Sequence, residues 1–381
     1  MTGLLSKREL VSFTRSLVKV DSVNGNEREV ADVLLEKLRS HGVKARLFGR
    51  EKDRNGVIAV IKGSGEGKTL MLNGHLDTVP FGDLSKWRYH PLSAKIVGNK
   101  IYGRGSYDMK AGVAALTLTA LDILEGDEVF DGKILLVFTY DEEAGHHGIK
   151  QIMGSIKADA CIIGEPSDLK VKIGYRGVYR FELETFGRIA HTGHLKGEGL
   201  NAVAKMAKLI VALEKTRFNY RRHEKFPLPS ITPGTVITGG YAINVIPDSC
   251  RALVDCRLSY GQTKKSARED VVDVIKKALE KDRYIRYKIN DLTYVPPFLT
   301  NPQQELVCIL ARNAEKELGY KPEKIISGSA SDGNIIHQSG IPTVVFGPSG
   351  GVSHMENECV DIPSLLKTAK IYRQTILAYL R

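Results

Sequence analysis

The sequence predicts an α/β protein of two domains, and three observations lead to this expectation. The chain has 381 residues, which is long for a single hydrophobic core. Both ends of the chain alternate helical segments with near-continuous apolar segments, as in sheets that helices cover on both faces. The middle of the chain instead alternates apolar and polar residues, which is typical of a half-buried antiparallel strand. We therefore expect one domain inserted into another.

The outer segments, residues 1–177 and 292–381, are predicted to form the larger domain. Asn26 and Glu29 have the spacing of a capping box at the start of its second helix. The segments that carry the prediction are the helices VSFTRSLVKV, EVADVLLEKLRSHG, MKAGVAALTLTALDIL and QELVCILARNAEKELG, and the strands NGVIAVIKG, TLMLNGHLDTV, KILLVFTYDEE, ADACIIGEP and IPTVVFGPSG.

Residues 178–291 are predicted to form the inserted domain. Its strands and helices follow the order β-α-β-β-α-β, which is the ferredoxin-like pattern. The segments are VYRFELETFG, NAVAKMAKLIVALEK, TPGTVITGG, CRALVDCRLS, SAREDVVDVIKKALEK and YIRYKINDLTYV.

Composition excludes several classes of protein. At 42% hydrophobic and 26% charged residues, with no apolar run near the roughly 20 residues that span a bilayer, we expect a cytoplasmic protein with no membrane partner. The five cysteines are scattered and odd in number, so free thiols are expected. The net charge of +11 is spread along helices without a basic block, so we expect no nucleic-acid partner. A nucleophilic hydrolase is disfavoured because no cysteine lies in a recognisable nucleophile motif.

Acids and histidines follow several of the predicted strands. His75 and Asp77 lie in GHLDTVP, Asp108 precedes a buried helix, Glu165 ends ADACIIGEP, and His354 follows a glycine-rich turn. Each has a purely structural alternative. His75 and Asp77 could be a core pair and Asp108 a helix N-cap. Glu165 could meet solvent at the strand end, and His354 could be a loop histidine. Their common setting favours a site, because side chains at the carboxyl ends of strands meet at one edge of an α/β sheet. A divalent cation would partner all of them.

Glu142 and Glu143 stand side by side where the strand KILLVFT ends. Neighbours on a regular strand point to opposite faces, so a flat strand cannot direct both carboxylates to one site. Either the pair solvates a turn, or the chain bends and both residues reach one site in different roles.

The order of these motifs, HxDxVP, GRGxxDMKxG, DEExG, GEP and SH, resembles that of the dinuclear zinc amidohydrolases. This family includes acetylornithine deacetylase, succinyl-diaminopimelate desuccinylase and carboxypeptidase G, and the resemblance covers nearly the whole chain. It implies a zinc-peptidase-like α/β/α catalytic domain, with the inserted domain as a lid that also forms a homodimer. No member of the motif set is missing, which disfavours a catalytically silent relative.

The resemblance also assigns a role to each of seven residues, and it implies a cis peptide bond after the bridging aspartate. His146 and His147 are not expected to be ligands. In the family pattern, His75 and Glu165 hold one metal ion, Glu143 and His354 hold the other, Asp108 bridges the two, Asp77 orients His75, and Glu142 is the general base.

Further residues of the lid match the family pattern. The resemblance implies that His191 reaches the active site of the partner subunit and stabilises the oxyanion, while Asn244 and Arg257 bind substrate. His194 departs from the pattern and leaves open which histidine is used. The alternative for Arg257 is an ion pair within the sheet.

The expected activity is hydrolysis of the amide bond of an N-acyl amino acid of the acetylornithine or succinyl-diaminopimelate kind. A carboxypeptidase or dipeptidase with the same site is the alternative. The expected cofactors are two divalent cations about 3.5–4 Å apart with a bridging water. Zinc comes first, with cobalt or manganese as alternatives.

Overall fold

The computed structural model describes residues 5–193 and 198–381, which fold into two compact units. The larger unit comprises Met1–Gly174, Thr300–Ile325 and Ser331–Arg381, and the smaller comprises Tyr175–Leu299 and Ile326–Ala330. The helices are α1 (Lys7–Val18), α2 (Arg28–Ser40), α3 (Ala111–Glu125), α4 (His147–Met153), α5 (Ala202–Leu213), α6 (Lys264–Lys281), α7 (Glu305–Leu318), α8 (Asp332–Gln338) and α9 (Ile362–Tyr379). The strands are β1 (Ala45–Phe48), β2 (Gly56–Lys62), β3 (Thr69–His75), β4 (Lys95–Val97), β5 (Lys100–Tyr102), β6 (Lys133–Thr139), β7 (Ala160–Ile163), β8 (Val171–Tyr175), β9 (Gly177–Phe186), β10 (Ala190–His191), β11 (Ser230–Gly239), β12 (Val245–Ile246), β13 (Ser249–Leu258), β14 (Arg286–Val295), β15 (Phe298–Leu299), β16 (Lys324–Ser327), β17 (Thr343–Val345) and β18 (Cys359–Asp361).

The larger unit is built on a mixed sheet with strands in the order β1-β2-β6-β3-β7-β17-β8. Its central strands β6, β3, β7 and β17 are parallel to one another. Every residue of β6 after Lys133 is buried, so the sheet is covered on both faces along this strand. The predicted α/β fold class is therefore confirmed.

Helix α3 is the most deeply buried helix of this unit. Its residues from Ala111 to Ile123 are all buried, and it packs against α1, α9 and β3. A Cβ atom on Gly112 would lie 1.9 Å from the carbonyl oxygen of Gly164, just beyond the end of β7. This close approach fixes the N-terminal end of α3 against the segment that carries Glu165.

The smaller unit has the order of elements that the sequence predicts for a ferredoxin-like domain. Its four antiparallel strands lie in the order β11-β13-β9-β14, and α5 and α6 pack against each other. The apolar residues of the two helices and of the central strands form one buried core. The sequence-based bounds of this domain, residues 178–291, stay a prediction.

The predicted capping box of α2 is wrong. The N-cap position of α2 is Glu27, which makes no side-chain capping bond, and the side chain of Asn26 donates to the carbonyl of Asp21. The carboxylate of Glu27 is instead buried and accepts the backbone N–H of Gly25. Burial of this carboxylate within a turn outweighs the local capping pattern.

The described part of the chain contains no helix with the length and apolar character that a bilayer crossing requires.

The contact between Gly112 and Gly164 can be tested with Gly112→Ala. The added methyl group would overlap the Gly164 carbonyl, and overpacking of this kind costs about 1–3 kcal/mol of unfolding free energy. We expect a lower Tm in thermal unfolding, although alanine has the higher helix propensity. Gly154→Ala is the matched control, because its added methyl group would meet no neighbouring atom within 4 Å and its φ is −68°. An unchanged Tm for Gly112→Ala would contradict the close approach.

Candidate active site

The carboxyl ends of the central parallel strands carry the candidate residues. His75 is the last residue of β3, Glu142 and Glu143 follow β6, and Glu165 follows β7. His354 lies in the loop between β17 and β18. The parallel arrangement therefore brings residues that are far apart in sequence to one edge of the sheet.

The chain bends sharply after β6, and this bend lets two adjacent glutamates reach one site. Asp141 has a left-handed backbone conformation with φ +64°. The carboxylate of Asp77 then accepts the backbone N–H groups of both Glu142 and Glu143, each at 3.0 Å. The side-chain amide of Asn24 donates to Asp77 and to Asp141, at 3.1 and 3.0 Å. These bonds fix the turn so that both glutamates lie in the cluster.

The first group of candidate ligands consists of His75, Asp108 and Glu165. The Nε2 atom of His75 lies 3.2 Å from Oδ1 of Asp108 and 3.4 Å from Oε1 of Glu165. The Nδ1–H of His75 donates to the backbone carbonyl of Asp77 at 3.0 Å, while the Asp77 carboxylate is 3.7 Å away. Asp77 therefore holds the ring of His75 through its backbone, and uses its carboxylate for the turn after β6.

The second group of candidate ligands consists of His354, Glu143 and the other oxygen of Asp108. The Nε2 atom of His354 lies 3.0 Å from Oε1 of Glu143 and 3.6 Å from Oδ2 of Asp108. Asp108 thus presents one oxygen to each group, which is the geometry of a bridging carboxylate. The peptide bond between Asp108 and Met109 is cis, as the sequence resemblance predicted.

The spacing of these atoms fits metal coordination. Tetrahedral zinc with bonds of about 2.0–2.1 Å holds neighbouring ligand atoms about 3.3 Å apart. The four short distances within the two groups run from 3.0 to 3.6 Å. The donor set of imidazole and carboxylate also suits a divalent cation.

The charges of the site also favour binding of divalent cations. Burial raises the pKa of Glu142 well above its usual range, and it raises that of Glu143 as well. Burial and the neighbouring Asp108 raise the pKa of Glu165 to about 7. Although burial alone would raise it, the hydrogen bond with His75 lowers the pKa of Asp108 to about 2. Carboxylates this close repel one another when they are ionised, and two divalent cations would offset this repulsion.

Both histidines favour a proton in the absence of a cation. The hydrogen bond to Glu143 raises the pKa of His354 to about 8. Burial opposes protonation of His75, but Glu165 and Asp108 outweigh it and raise its pKa well above the ordinary value. A metal ion would have to displace these protons, so its binding is coupled to proton release.

The structure brings two further residues to Glu142 that sequence reasoning did not select. His146 is buried, and its Nδ1 atom donates to Oδ1 of Asp332 at 2.9 Å and lies 3.9 Å from Oε1 of Glu142. These three side chains form another group with metal-ligand atoms close together. Asp332 follows Ser331, which caps α8, so the local sequence indicated only a helix start. His147, in contrast, has a side chain that is 68% exposed.

The lid residues selected from the sequence lie in the smaller unit. His191 is exposed and pairs with Val245, and the backbone N–H of Thr192 donates to the carbonyl of Asn244. His191 and Asn244 are therefore close neighbours. His194 lies outside the described residues.

Arg257 adopts the alternative that was predicted for it, an ion pair within the sheet. Its guanidinium donates to Asp255 through Nε at 2.7 Å and through Nη2 at 3.4 Å. Arg180 donates to the same carboxylate at 2.8 Å. Two of the donors of Arg257 are thus already engaged without a substrate.

A mixed α/β fold whose strand ends carry paired histidines and carboxylates defines a metal-binding hydrolase of amide or peptide bonds. Residues 71–378 match the model of peptidase family M20/M25/M40, and the chain belongs to this family. The narrower assignment to the deacetylase, desuccinylase and carboxypeptidase G group stays a prediction.

Solved structures agree with this family. The chain is 25% identical to a tripeptidase from Staphylococcus aureus, with all of both chains covered and a TM-score of 0.83. It is 23% identical to aminopeptidase PepT from Bacillus cereus, again over all of both chains, with a TM-score of 0.79. A metallo-carboxypeptidase from Sulfolobus solfataricus is 21% identical over 97% of this chain and 99% of that one, with a TM-score of 0.81.

Proposed function

We propose that this protein is a dinuclear metallopeptidase that cleaves the amide bond of a short peptide with a free carboxylate. The observation that carries the proposal is the position of Glu142 beside two groups of ligands. Its carboxylate lies within 4.8 Å of ligand atoms of His75 and Glu143, yet it takes no part in the four short contacts. A buried carboxylate beside a metal centre, and outside its ligand set, is placed to act as a base.

The proposed ligands divide between two cations. His75 and Glu165 would hold one, Glu143 and His354 the other, and Asp108 both. When bound, the cations polarise the scissile carbonyl and lower the pKa of the attacking water toward about 7. Zinc suits this set of nitrogen and oxygen donors, and cobalt or manganese are the alternatives.

Glu142 would take the proton from the attacking water and deliver it to the leaving amine. Burial raises its pKa, and nearby cations would lower it again toward the working pH. A base works best when its pKa lies near that pH. Asp77 holds the backbone on which Glu142 is placed, so the distance between base and ligands is fixed before substrate binds.

Short peptides are the first candidate substrates, because a tripeptidase is 25% identical to this chain over its full length. N-acyl amino acids of the acetylornithine or succinyl-diaminopimelate kind are the second candidates. They are favoured by SGSASDG, a glycine-rich turn followed by SDG, which resembles the desuccinylase sequence. A carboxypeptidase or dipeptidase activity would use the same residues.

The lid is proposed to form a homodimer and to supply His191 to the partner's site. Val236 and Ile237 on β11, together with Ile243, are exposed apolar side chains that a second subunit would cover. A donor aimed at an oxyanion stabilises the transition state by roughly 3–4 kcal/mol.

Mixing His191→Ala subunits with Glu142→Ala subunits should restore part of the activity. No recovery in dimers that are verified as mixed would count against a role in trans.

Replacement of Glu142 and replacement of Glu143 should have different effects on metal content. Glu142→Ala should keep both metal ions and lose about 10²–10⁴-fold in kcat, because it removes only the base. Glu143→Ala should lose one ion as well as activity, because it removes a ligand. Metal analysis of the purified variants, together with their rates, measures both effects.

Glu66→Ala, which removes an exposed loop carboxylate, is the control and should retain both ions and full activity. Equal loss of metal in Glu142→Ala and Glu143→Ala would contradict the division of roles.

The substrate class can be tested with cobalt- or zinc-loaded enzyme and matched pairs of substrates. We expect hydrolysis of dipeptides and tripeptides, and at least a tenfold lower kcat/KM for the same peptides with an amidated C-terminus. N-acetyl and N-succinyl amino acids form the second arm of the screen. Cleavage of these alone would assign the enzyme to the deacylases, and equal cleavage of free and amidated peptides would exclude recognition of the carboxylate.

A further inference from the structure

We propose that Arg104 and Glu358 are a positioning pair that sets the distance between Asp108 and His354. Through that distance the pair sets the affinity for the cation that these two ligands share. The inference rests on the proposed metal centre. It adds two residues that are not among the proposed ligands. Both side chains are almost fully buried, at 3% and 1% exposure.

Glu358 holds the backbone that carries Asp108. Its Oε1 atom accepts the backbone N–H of Tyr107 at 2.9 Å and that of Asp108 itself at 3.0 Å. Its Oε2 atom accepts Nη1 of Arg104 at 2.7 Å. A carboxylate that accepts two successive amides fixes the start of the Asp108 side chain, as Asp77 does for the two glutamates.

Arg104 holds the backbone that carries His354. Its Nη1 atom donates to the carbonyl of Met355 at 3.2 Å, and its Nη2 atom donates to that of Pro80 at 3.1 Å. The guanidinium also lies over the ring of Trp87, 5.2 Å from its centroid. Because the side chain of His354 is 51% exposed, few packing contacts fix its ring, and its place depends on this backbone.

A small sheet brings the two loops together. Strands β5 and β18 pair antiparallel with Tyr102 opposite Cys359, and the backbone N–H of Gly103 donates to the carbonyl of Glu358 at 3.0 Å. Arg104 therefore follows β5 closely and Glu358 immediately precedes β18. The ion pair joins the loops of two ligands that are 246 positions apart in the chain.

The contacts distinguish positioning from simple stabilisation. A buried ion pair is poor evidence of net stability, because desolvation offsets the attraction of the charges. In this pair, however, Oε1 of Glu358 accepts the backbone N–H of Asp108, and Nη1 of Arg104 also donates to the carbonyl of Met355, the residue after His354. Residues that orient metal ligands in this way typically change metal affinity by 10–100-fold when they are replaced.

The test measures cation binding to metal-free protein. In Glu358→Gln and Arg104→Met, isothermal titration with Co²⁺ should find one of the two ions bound about 10–100-fold more weakly. The visible spectrum of bound cobalt should change for that ion, and the other ion should lose less affinity, because Asp108 is its only proposed ligand that the pair holds. Arg104→Lys should lie between wild type and Arg104→Met, because lysine keeps the charge but not the two-pronged donor.

The double variant Arg104→Met/Glu358→Met guards against loss of folding, because it leaves no unpaired buried charge. It should fold and still bind one ion more weakly. The matched control is Arg373→Met, which breaks the ion pair of Arg373 with Asp122 at 2.7 Å between α9 and α3. It should lower Tm and leave the affinities for both ions unchanged.

The outcomes separate the two proposals. If the Arg104 and Glu358 variants lower Tm as Arg373→Met does and leave both ion affinities unchanged, the positioning role is overturned. If wild-type protein binds fewer than two ions, the proposed metal centre itself fails.

Discussion

Repulsion among four carboxylates, two of them buried and two half-buried, is the constraint on which the site depends. Asp108, Glu142, Glu143 and Glu165 converge at one edge of the sheet, and burial makes their joint ionisation unfavourable. Folding alone cannot relieve this repulsion, because every element that brings the residues together also excludes water from them. Two divalent cations would offset it, and the same cations would supply the chemistry of an amide hydrolase. The feature that destabilises the metal-free site is thus the feature that selects its cofactor.

The rest of the structure holds the converging groups in place. Two buried carboxylates outside the proposed ligand set each accept a pair of backbone amides. Asp77 accepts those of the turn after β6, and Glu358 accepts those of Tyr107 and Asp108. Gly112 lets α3 approach the end of β7 closely, because any side chain there would meet the Gly164 carbonyl. Each device fixes backbone rather than the ligand side chain itself, so a ligand's position follows from its segment.

The sequence predicted the α/β class, the order of elements in the inserted domain and the residues that the structure brings together in the two ligand groups. The α/β class is confirmed, and the candidate residues lie close together because several of them follow parallel strands whose carboxyl ends meet at one edge; their roles stay predictions. Residues whose partners lie far along the chain could not be identified in this way. His146 meets Asp332, and Arg104 meets Glu358, only in the folded protein. The local sequence pattern also predicted a capping box at the start of α2, where the structure instead buries the carboxylate of Glu27. Arg257, which was expected to bind substrate, donates to Asp255 within the sheet.

Anomalous X-ray diffraction from crystals of the zinc-loaded protein tests the central claim most directly. We expect two zinc peaks per chain, one beside His75 and Glu165 and one beside His354 and Glu143, with Asp108 touching both. Glu142 should lie close to the pair without binding either ion. A single peak, or zinc bound between His146 and Asp332 while the five ligands stay empty, would contradict the account.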